Sequence, residues 1–185
     1  MMQKVFVFTK DSSAINGYLF AVENDAHPIF SFPVVVGKCG MGDEKVEGDF
    51  KTPLGTFPLL SLFGLADTSP NSKMPYIKID ENLVAVDDPR SRFYNKIVSK
   101  AEVAPDWESA EKMDILLYKY GVVVGYNTDK PIPGKGSCIF MHTWQDEFTG
   151  TAGCIGMSEE NLIKLIGWLD AAKTPHIMHS IINAE

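Results

Sequence analysis

Short apolar runs rich in β-branched and aromatic residues, separated by turn residues, fill the first third of this chain of 185 residues. Residues 5–9, 18–23 and 29–37 form three such runs, and Asn16 and Gly17 stand between the first two. Side chains of this kind pack well on a pleated sheet, and the pair Asn-Gly is a strong signal for a hairpin turn. The opening pattern therefore predicts successive β-strands, with a hairpin turn at Asn16 and Gly17.

The strand pattern continues along the chain and gives way to helical spacing in two places. We predict further strands at residues 56–60, 76–79, 83–86 and 137–143, and two short strands around Gly121 within 115–126. A short helix is predicted by apolar residues at every third position, Trp107, Ala110 and Met113. A second is predicted after its N-cap Ser158 by Leu162, Leu165, Ile166 and Leu169. We expect one domain over residues 1–185, mainly β with a few helices.

Composition and charge argue against several classes of function. The net charge is −7, and no cluster of Lys and Arg is present, which argues against nucleic acid as a partner. No apolar stretch is long enough to cross a bilayer, so we expect no membrane span. The first residues lead directly into the run at 5–9, and they resemble a first strand more than a secretion signal. These patterns leave the oligomeric state open.

Cys154 and His142 are the strongest candidates for chemistry. Cys154 lies in the segment Thr-Ala-Gly-Cys-Ile-Gly-Met and follows His142 by twelve positions. Because a free cysteine supplies little thiolate at neutral pH, a neighbouring imidazole commonly activates it. His142 lies near the end of the run at 137–143, and the polar segment 144–151 predicts a loop that returns Cys154 to the strand end. The spacing favours a nucleophile and its base, and leaves open a buried structural cysteine beside a hydrogen-bonded histidine.

Gly153 completes the candidate catalytic group. A glycine beside a nucleophile permits a tight turn whose N–H groups can stabilise an oxyanion. Zinc bound by Cys138, His142 and Cys154 is a competing hypothesis. It is disfavoured because four positions along a strand separate Cys138 from His142 by roughly 13 Å, and no Cys-x-x-Cys pair is present. We expect no metal and no cofactor, with Cys138 as a core residue of the strand and the histidines at 27, 176 and 179 at the surface or at caps.

Four separated segments, 45–57, 86–95, 136–142 and 151–154, resemble the L,D-transpeptidase catalytic-domain family, also called YkuD-type. They occur in the order typical of that family, and the resemblance extends from about residue 37 to 175. It implies a β-sandwich or barrel-like sheet core, a cysteine acyl-enzyme with Cys154 as nucleophile and His142 as base, and peptidoglycan stem peptides as partners. It also implies a place of action in the cell envelope or periplasm.

This chain departs from the family signature at two positions beside the nucleophile. The usual pattern is Ser/Thr-His-Gly-Cys, a hydrophobic residue and Arg, whereas this chain has Ala152 and Gly156. Arg90 or Arg92 is a candidate replacement for the missing positive charge. We take four residues as candidates for substrate binding: Thr151, Ala152, Arg92 and Asn127.

The resulting hypothesis is acyl transfer from peptidoglycan stem peptides through a thioester on Cys154. An amine acceptor gives a cross-link, as in an L,D-transpeptidase, whereas water gives L,D-carboxypeptidase trimming. The departures at Ala152 and Gly156 keep hydrolysis open. A non-catalytic wall-binding domain with a degraded site is the alternative from a different class.

Overall fold

The computed structural model of the chain describes residues 2–24, 27–71 and 73–182, and most of its regular structure is strand. The strands are β1 Gln3–Thr9, β2 Asn16–Glu23, β3 Phe30–Val35, β4 Met41–Gly42, β5 Thr52–Pro53, β6 Gly55–Gly64, β7 Tyr76–Lys78, β8 Leu83–Val86, β9 Lys96–Ser99, β10 Ala110–Lys112, β11 Tyr120–Val124, β12 Phe140–Thr143, β13 Ile155–Met157 and β14 His176–Ile181. Helix α1 covers Glu159–Trp168, and short 3-10 turns cover Leu116–Tyr118 and Ala171–Lys173. The prediction of a mainly β fold is confirmed.

Among the described residues, nine strands form one sheet in the order β11-β12-β13-β3-β2-β1-β14-β6-β7, and β11 also pairs with β6. That extra pairing closes the sheet on itself, which gives the barrel-like core expected from the resemblance. Side chains alternate along each strand, so one face fills the interior with residues such as Val5, Leu19 and Met141. Helix α1 adds its buried side chains to the same core: Leu162, Leu165 and Ile166.

The first two strands form the predicted hairpin, but its turn lies elsewhere. Asn16 and Gly17 already belong to β2, where Gly17 pairs with Thr9. The connection runs through residues 10–15, and the Asp11 carboxylate organises it by accepting hydrogen bonds from the N–H groups of Ser13 and Ala14, both at 2.9 Å. The prediction of a turn at Asn16 and Gly17 is therefore wrong, because an Asp-based turn closes the hairpin.

A second, three-stranded sheet of order β10-β8-β9 lies against the outer face of the barrel. A separate apolar cluster fills the space between them, with Phe63 and Phe140 from the barrel and Ala85 and Met113 from the small-sheet side. The predicted helix around Trp107, Ala110 and Met113 is wrong, because Ala110–Lys112 pair with β8 as strand β10. The predicted pair of strands around Gly121 is also wrong, because a 3-10 turn precedes a single strand, β11.

The segment before His142 is only partly extended. Strand β12 begins at Phe140, whereas Gly136 and Cys138 have positive φ angles of 93° and 54°. The predicted strand at 137–143 is therefore too long, and Cys138 does not lie on β12. Cys138 is nevertheless buried in the apolar cluster, as predicted for a core residue.

His179 on β14 is buried, so the expectation of a surface or capping histidine is wrong for this position. Its Nδ1 lies 2.7 Å from the carbonyl oxygen of Pro53, and its ring packs on Phe57. Nε2 has no hydrogen-bond partner within the described part of the chain. Burial lowers the pKa of His179 to about 4.

Acidification is expected to destabilise the fold through His179. The unfolded chain gains a proton near the ordinary pKa of 6.5, whereas folded His179 stays neutral down to about 4. Its contribution to stability is complete above pH 6.5, falls by ~3 kcal/mol as the pH drops to 4, and is constant below. His179→Asn, which keeps an N–H donor, should flatten this dependence in urea unfolding between pH 4 and 7. His176→Asn on the same strand is the control, and an unchanged pH dependence in His179→Asn would contradict the assignment.

Candidate active site

His142 on β12 and Cys154, directly before β13, both lie on the outer face of the barrel. Strands β12 and β13 run parallel, with His142 opposite Gly156. The Cys154 side chain packs in the outer apolar cluster with Phe140 and Tyr118, and the Tyr118 ring contacts that of His142. Both side chains line one cleft of about 440 Å³. The structure therefore brings together the thiol and the imidazole that the sequence predicts as a pair.

The Cys154 thiol is buried and held by two backbone groups. Sγ donates to the carbonyl of Cys138 and accepts from the N–H of Phe140, each at 3.3 Å. Burial raises the pKa of this thiol to about 12, and the Glu111 carboxylate adds to the rise, while the Phe140 N–H and the Lys45 charge oppose it. The resting side chain is a neutral thiol, so nucleophilic attack requires a base that removes its proton.

His142 has the form that such a base needs. Its Nδ1 lies 2.8 Å from the carbonyl of Thr143. A carbonyl only accepts hydrogen bonds, so Nδ1 carries the ring proton and Nε2 is left with its lone pair. Burial lowers the pKa of His142, partly offset by the bond to Thr143 O, and keeps the imidazole neutral.

Tyr118 and Glu111 belong to this site, although no sequence motif indicates either residue. The Tyr118 hydroxyl donates to Glu111 Oε2 at 2.8 Å, and its ring meets the His142 ring edge-on at 5.2 Å between centroids. Burial raises the pKa of Tyr118, and the Glu111 carboxylate adds to the rise. Burial also raises the pKa of Glu111. Tyr118 thus packs beside the imidazole while Glu111 fixes its hydroxyl.

Tyr118→Phe is expected to lower the free energy of unfolding by about 1–3 kcal/mol, because the Glu111 carboxylate loses a hydrogen-bond donor in a desolvated position. The measurement is urea unfolding at neutral pH. Tyr18→Phe is the matched control, since Tyr18 is exposed. Equal stability of the two variants would show that the bond to Glu111 contributes nothing.

The nucleophile loop is held by two threonine hydroxyls. Thr151 Oγ1 accepts from the N–H of Gly153 at 3.0 Å and donates to the carbonyl of Cys154 at 2.6 Å. From the neighbouring segment, Thr52 Oγ1 donates to the carbonyl of Gly153 at 2.7 Å and accepts from the N–H of Gly37 at 2.9 Å. Thr151, predicted to bind substrate, lines the cleft and also fixes the loop that carries Cys154.

Gly153 is required by the backbone at this point. Its φ is +140°, and a Cβ would lie 2.9 Å from the carbonyl oxygen of Lys51. Because its N–H is already bonded to Thr151, the predicted oxyanion role of that group requires the bond to open. That role stays a prediction.

The two departures from the family signature differ in their surroundings. Ala152 is exposed and lines the cleft. At Gly156 there is no room for a side chain, since a Cβ would lie 2.8 Å from Val35 Cγ2 and 3.1 Å from Trp144 Cβ. Val35 and Trp144 therefore occupy the space that a side chain at position 156, such as the family's arginine, would need.

Arg90, Arg92 and Asn127 lie outside the set of residues that line the cleft. Arg92 is paired with Asp106 at 3.5 Å, and Arg90 is paired with Asp88 and Glu108. The Asn127 side chain instead closes its own loop, donating to Ile132 O at 3.1 Å and Gly136 O at 2.9 Å. Among the described residues, the Lys or Arg side chain that lines the cleft is that of Lys112, which sequence reasoning missed.

No group of three or more His, Cys, Asp or Glu side chains within the described ranges is arranged to hold a metal ion. The Cys138 thiol, one member of the hypothetical zinc set, is directed at the carbonyl of Val86 at 3.7 Å. In the same part of the chain, no helix is long and apolar enough to cross a membrane.

Among protein families, the profile of the YkuD L,D-transpeptidase catalytic domain matches residues 11–178 of this chain. The chain belongs to this L,D-transpeptidase family. The resemblance carried by the four sequence segments is thereby confirmed. A search of curated protein sequences found no match.

Solved structures similar to this YkuD domain include three bacterial proteins. The helical cell shape determining protein Pgp2 of Campylobacter jejuni is 19% identical with a TM-score of 0.49, and the match covers 100% of this chain and 49% of Pgp2. A mutant of the Enterococcus faecium L,D-transpeptidase is 11% identical with a TM-score of 0.45, and the match covers 97% of this chain and 50% of that protein. Mycobacterium tuberculosis L,D-transpeptidase 1 is 13% identical with a TM-score of 0.42, and the match covers 97% of this chain and 62% of that protein. This chain thus spans about half to three-fifths of their length.

Proposed function

We propose that this domain transfers acyl groups from peptidoglycan stem peptides through a thioester on Cys154. Membership of the L,D-transpeptidase family supports the substrate class. The observation that carries the proposal is the placement of the Cys154 thiol and the His142 imidazole on the outer face of the barrel, in one cleft. Because stem peptides belong to the cell wall, the proposed place of action is the cell envelope.

The reaction begins with the neutral thiol. His142 Nε2 accepts the Sγ proton as Sγ forms a bond to the stem carbonyl that precedes a D-residue. The imidazolium then returns that proton to the amine of the D-residue as the C–N bond breaks, which leaves a thioester on Cys154. A backbone N–H of the nucleophile loop stabilises the oxyanion between these two steps.

The fate of the thioester distinguishes two activities. Attack by an amine gives a cross-link, and attack by water gives a shortened stem. Hydrolysis is the second candidate because Ala152 is exposed in the cleft and the packed Gly156 carries no side chain, so two polar groups of the family signature are absent beside the nucleophile. We place transpeptidation first because the family is defined by it.

The test incubates the protein with purified tetrapeptide stems, with and without an amine acceptor such as a free D-amino acid. Mass spectrometry of the intact protein and of its peptides should reveal an acyl adduct on Cys154. A product that contains the added amine supports the transpeptidase, whereas tripeptide alone in both reactions supports the carboxypeptidase. No adduct and no product with a range of stems would overturn the proposal in favour of a wall-binding domain.

A further inference from the structure

The outer face of the barrel, which carries His142 on β12, also carries aromatic side chains on β2 and β1, three and four strands away in the sheet order. Phe8, Tyr18 and Pro33 lie directly opposite one another on β1, β2 and β3. Phe8 stacks on Phe6 with ring centroids 5.9 Å apart and meets Phe20 at 6.1 Å. Tyr18 is 59% exposed. An aromatic ring this open to solvent, with the half-buried rings of Phe8 and Phe20 beside it, is more typical of a binding surface than of a core.

These side chains line a pocket of about 490 Å³ on that face. Phe8, Tyr18 and Phe20 supply apolar rings to its lining, and Asn16 and Glu147 supply polar groups. Asn16 ties the rim together by donating from Nδ2 to the carbonyl of Glu147 at 2.6 Å. An apolar floor with a few polar groups at its border is the usual composition of a small-molecule site.

Trp144 connects this pocket to the catalytic cleft, because its side chain lines both. Strand pairing sets the backbone separation between His142 in the cleft and Asn16 at the pocket. His142 lies opposite Gly156, Gly156 opposite Val35, and Val35 opposite Asn16. Three strand spacings amount to about 14 Å. An extended peptide of three to four residues covers about 10–14 Å, so a stem with its carbonyl at Cys154 brings its far end to the pocket.

We propose that this pocket, which we call the aromatic pocket, binds the sugar of the glycan strand to which the stem peptide is attached. A sugar ring has an apolar face of C–H groups and an edge of hydroxyls. The first matches the rings of Phe8, Tyr18 and Phe20, and the second matches Asn16 and Glu147. The inference rests on the proposed function for the identity of the ligand, but saccharide binding itself requires no catalysis.

The first experiment measures binding without chemistry. The probe is a stem-free tetrasaccharide of the glycan strand, titrated by NMR into protein carrying Cys154→Ala, which removes the nucleophile. We expect shifts at Tyr18 and Trp144, and a loss of affinity of about five-fold or more when Tyr18→Thr removes one ring from the pocket. Ile163→Gln on the exposed side of α1 is the control and should bind as tightly as the parent. Absence of binding, or equal binding by the Tyr18→Thr protein, would overturn the proposal.

The second experiment separates failure of this inference from failure of the proposed function. The acylation rate of wild type and Tyr18→Thr is compared on free tetrapeptide and on the same stem attached to the disaccharide. A several-fold rise in KM restricted to the glycan-linked substrate supports the aromatic pocket. Equal kinetics on both substrates overturns the pocket and leaves acyl transfer intact, whereas tetrasaccharide binding without acylation overturns only the proposed function. A dimer that depends on Tyr18 and shows no saccharide binding assigns the face to self-association.

Discussion

Cys154→Ala is expected to abolish both the acyl adduct and product formation from tetrapeptide stems. The alanine leaves no group at this position that can form a thioester, so no acylation of the protein should remain. The measurement is intact mass after incubation with excess stem, together with product detection by chromatography. An adduct that persists in Cys154→Ala would place the nucleophile elsewhere and contradict the proposed mechanism.

Cys39→Ala and Cys154→Ser provide the controls for this experiment. Cys39 is exposed, so Cys39→Ala should acylate at the wild-type rate. Loss of the Cys154 thiol also removes hydrogen bonds to Cys138 O and Phe140 N, each 3.3 Å long, so folding must be verified by urea unfolding. Cys154→Ser keeps a donor and an acceptor at this position. If it unfolds like wild type but forms no adduct, the loss is chemical and not structural.

Local patterns in the sequence predict those parts of the fold and of the site that depend on neighbouring residues. The run before His142 predicted a strand ending near that residue, and β12 ends at Thr143. The spacing of apolar residues after Ser158 predicted α1, whose N-cap is formed by Ser158 Oγ accepting from Asn161 N at 3.3 Å. Both depend on neighbours within a few positions, so the sequence contains the necessary signal.

The elements that cover the cleft depend on pairing between strands that are distant in sequence. Ala110–Lys112 become a strand because β8 offers a free edge more than twenty positions earlier in the chain, although their apolar spacing also fits a helix. That strand places Glu111 next to Tyr118, so the contact with His142 follows from an arrangement that no local pattern encodes. Tertiary context overrides propensity most readily in such short segments.

Charge in the sequence identifies a residue type but not its partner. Arg92 was a reasonable candidate for the missing positive charge, yet it lies beside Asp106, which is fourteen positions away in sequence. Lys112 lines the cleft because β10 places it there, not because of any motif. Among the described residues Lys112 is the cation that lines the cleft, whereas the position of the family's arginine, Gly156, has no room for a side chain because Val35 and Trp144 pack against it.

His142→Ala is expected to lower the rate of acylation by about two to four orders of magnitude, because the neutral Cys154 thiol then has no base to accept its proton. Burial, partly offset by the bond to Thr143 O, lowers the pKa of His142. The acid limb of the wild-type pH–rate profile should therefore lie below the ordinary histidine pKa of 6.5. Both effects are measured by mass spectrometry of the adduct in samples quenched at successive times between pH 4 and 8.

The variant should lose this acid limb, since the group that titrates there is gone, and its remaining rate should rise with pH as hydroxide removes the thiol proton. His176→Ala serves as the control for removal of an imidazole outside the cleft. A wild-type rate in His142→Ala would exclude the imidazole as base. A slow rate with an unchanged acid limb would instead assign the titrating group to another side chain of the cleft, with Glu111, whose pKa burial raises, as the group to replace next.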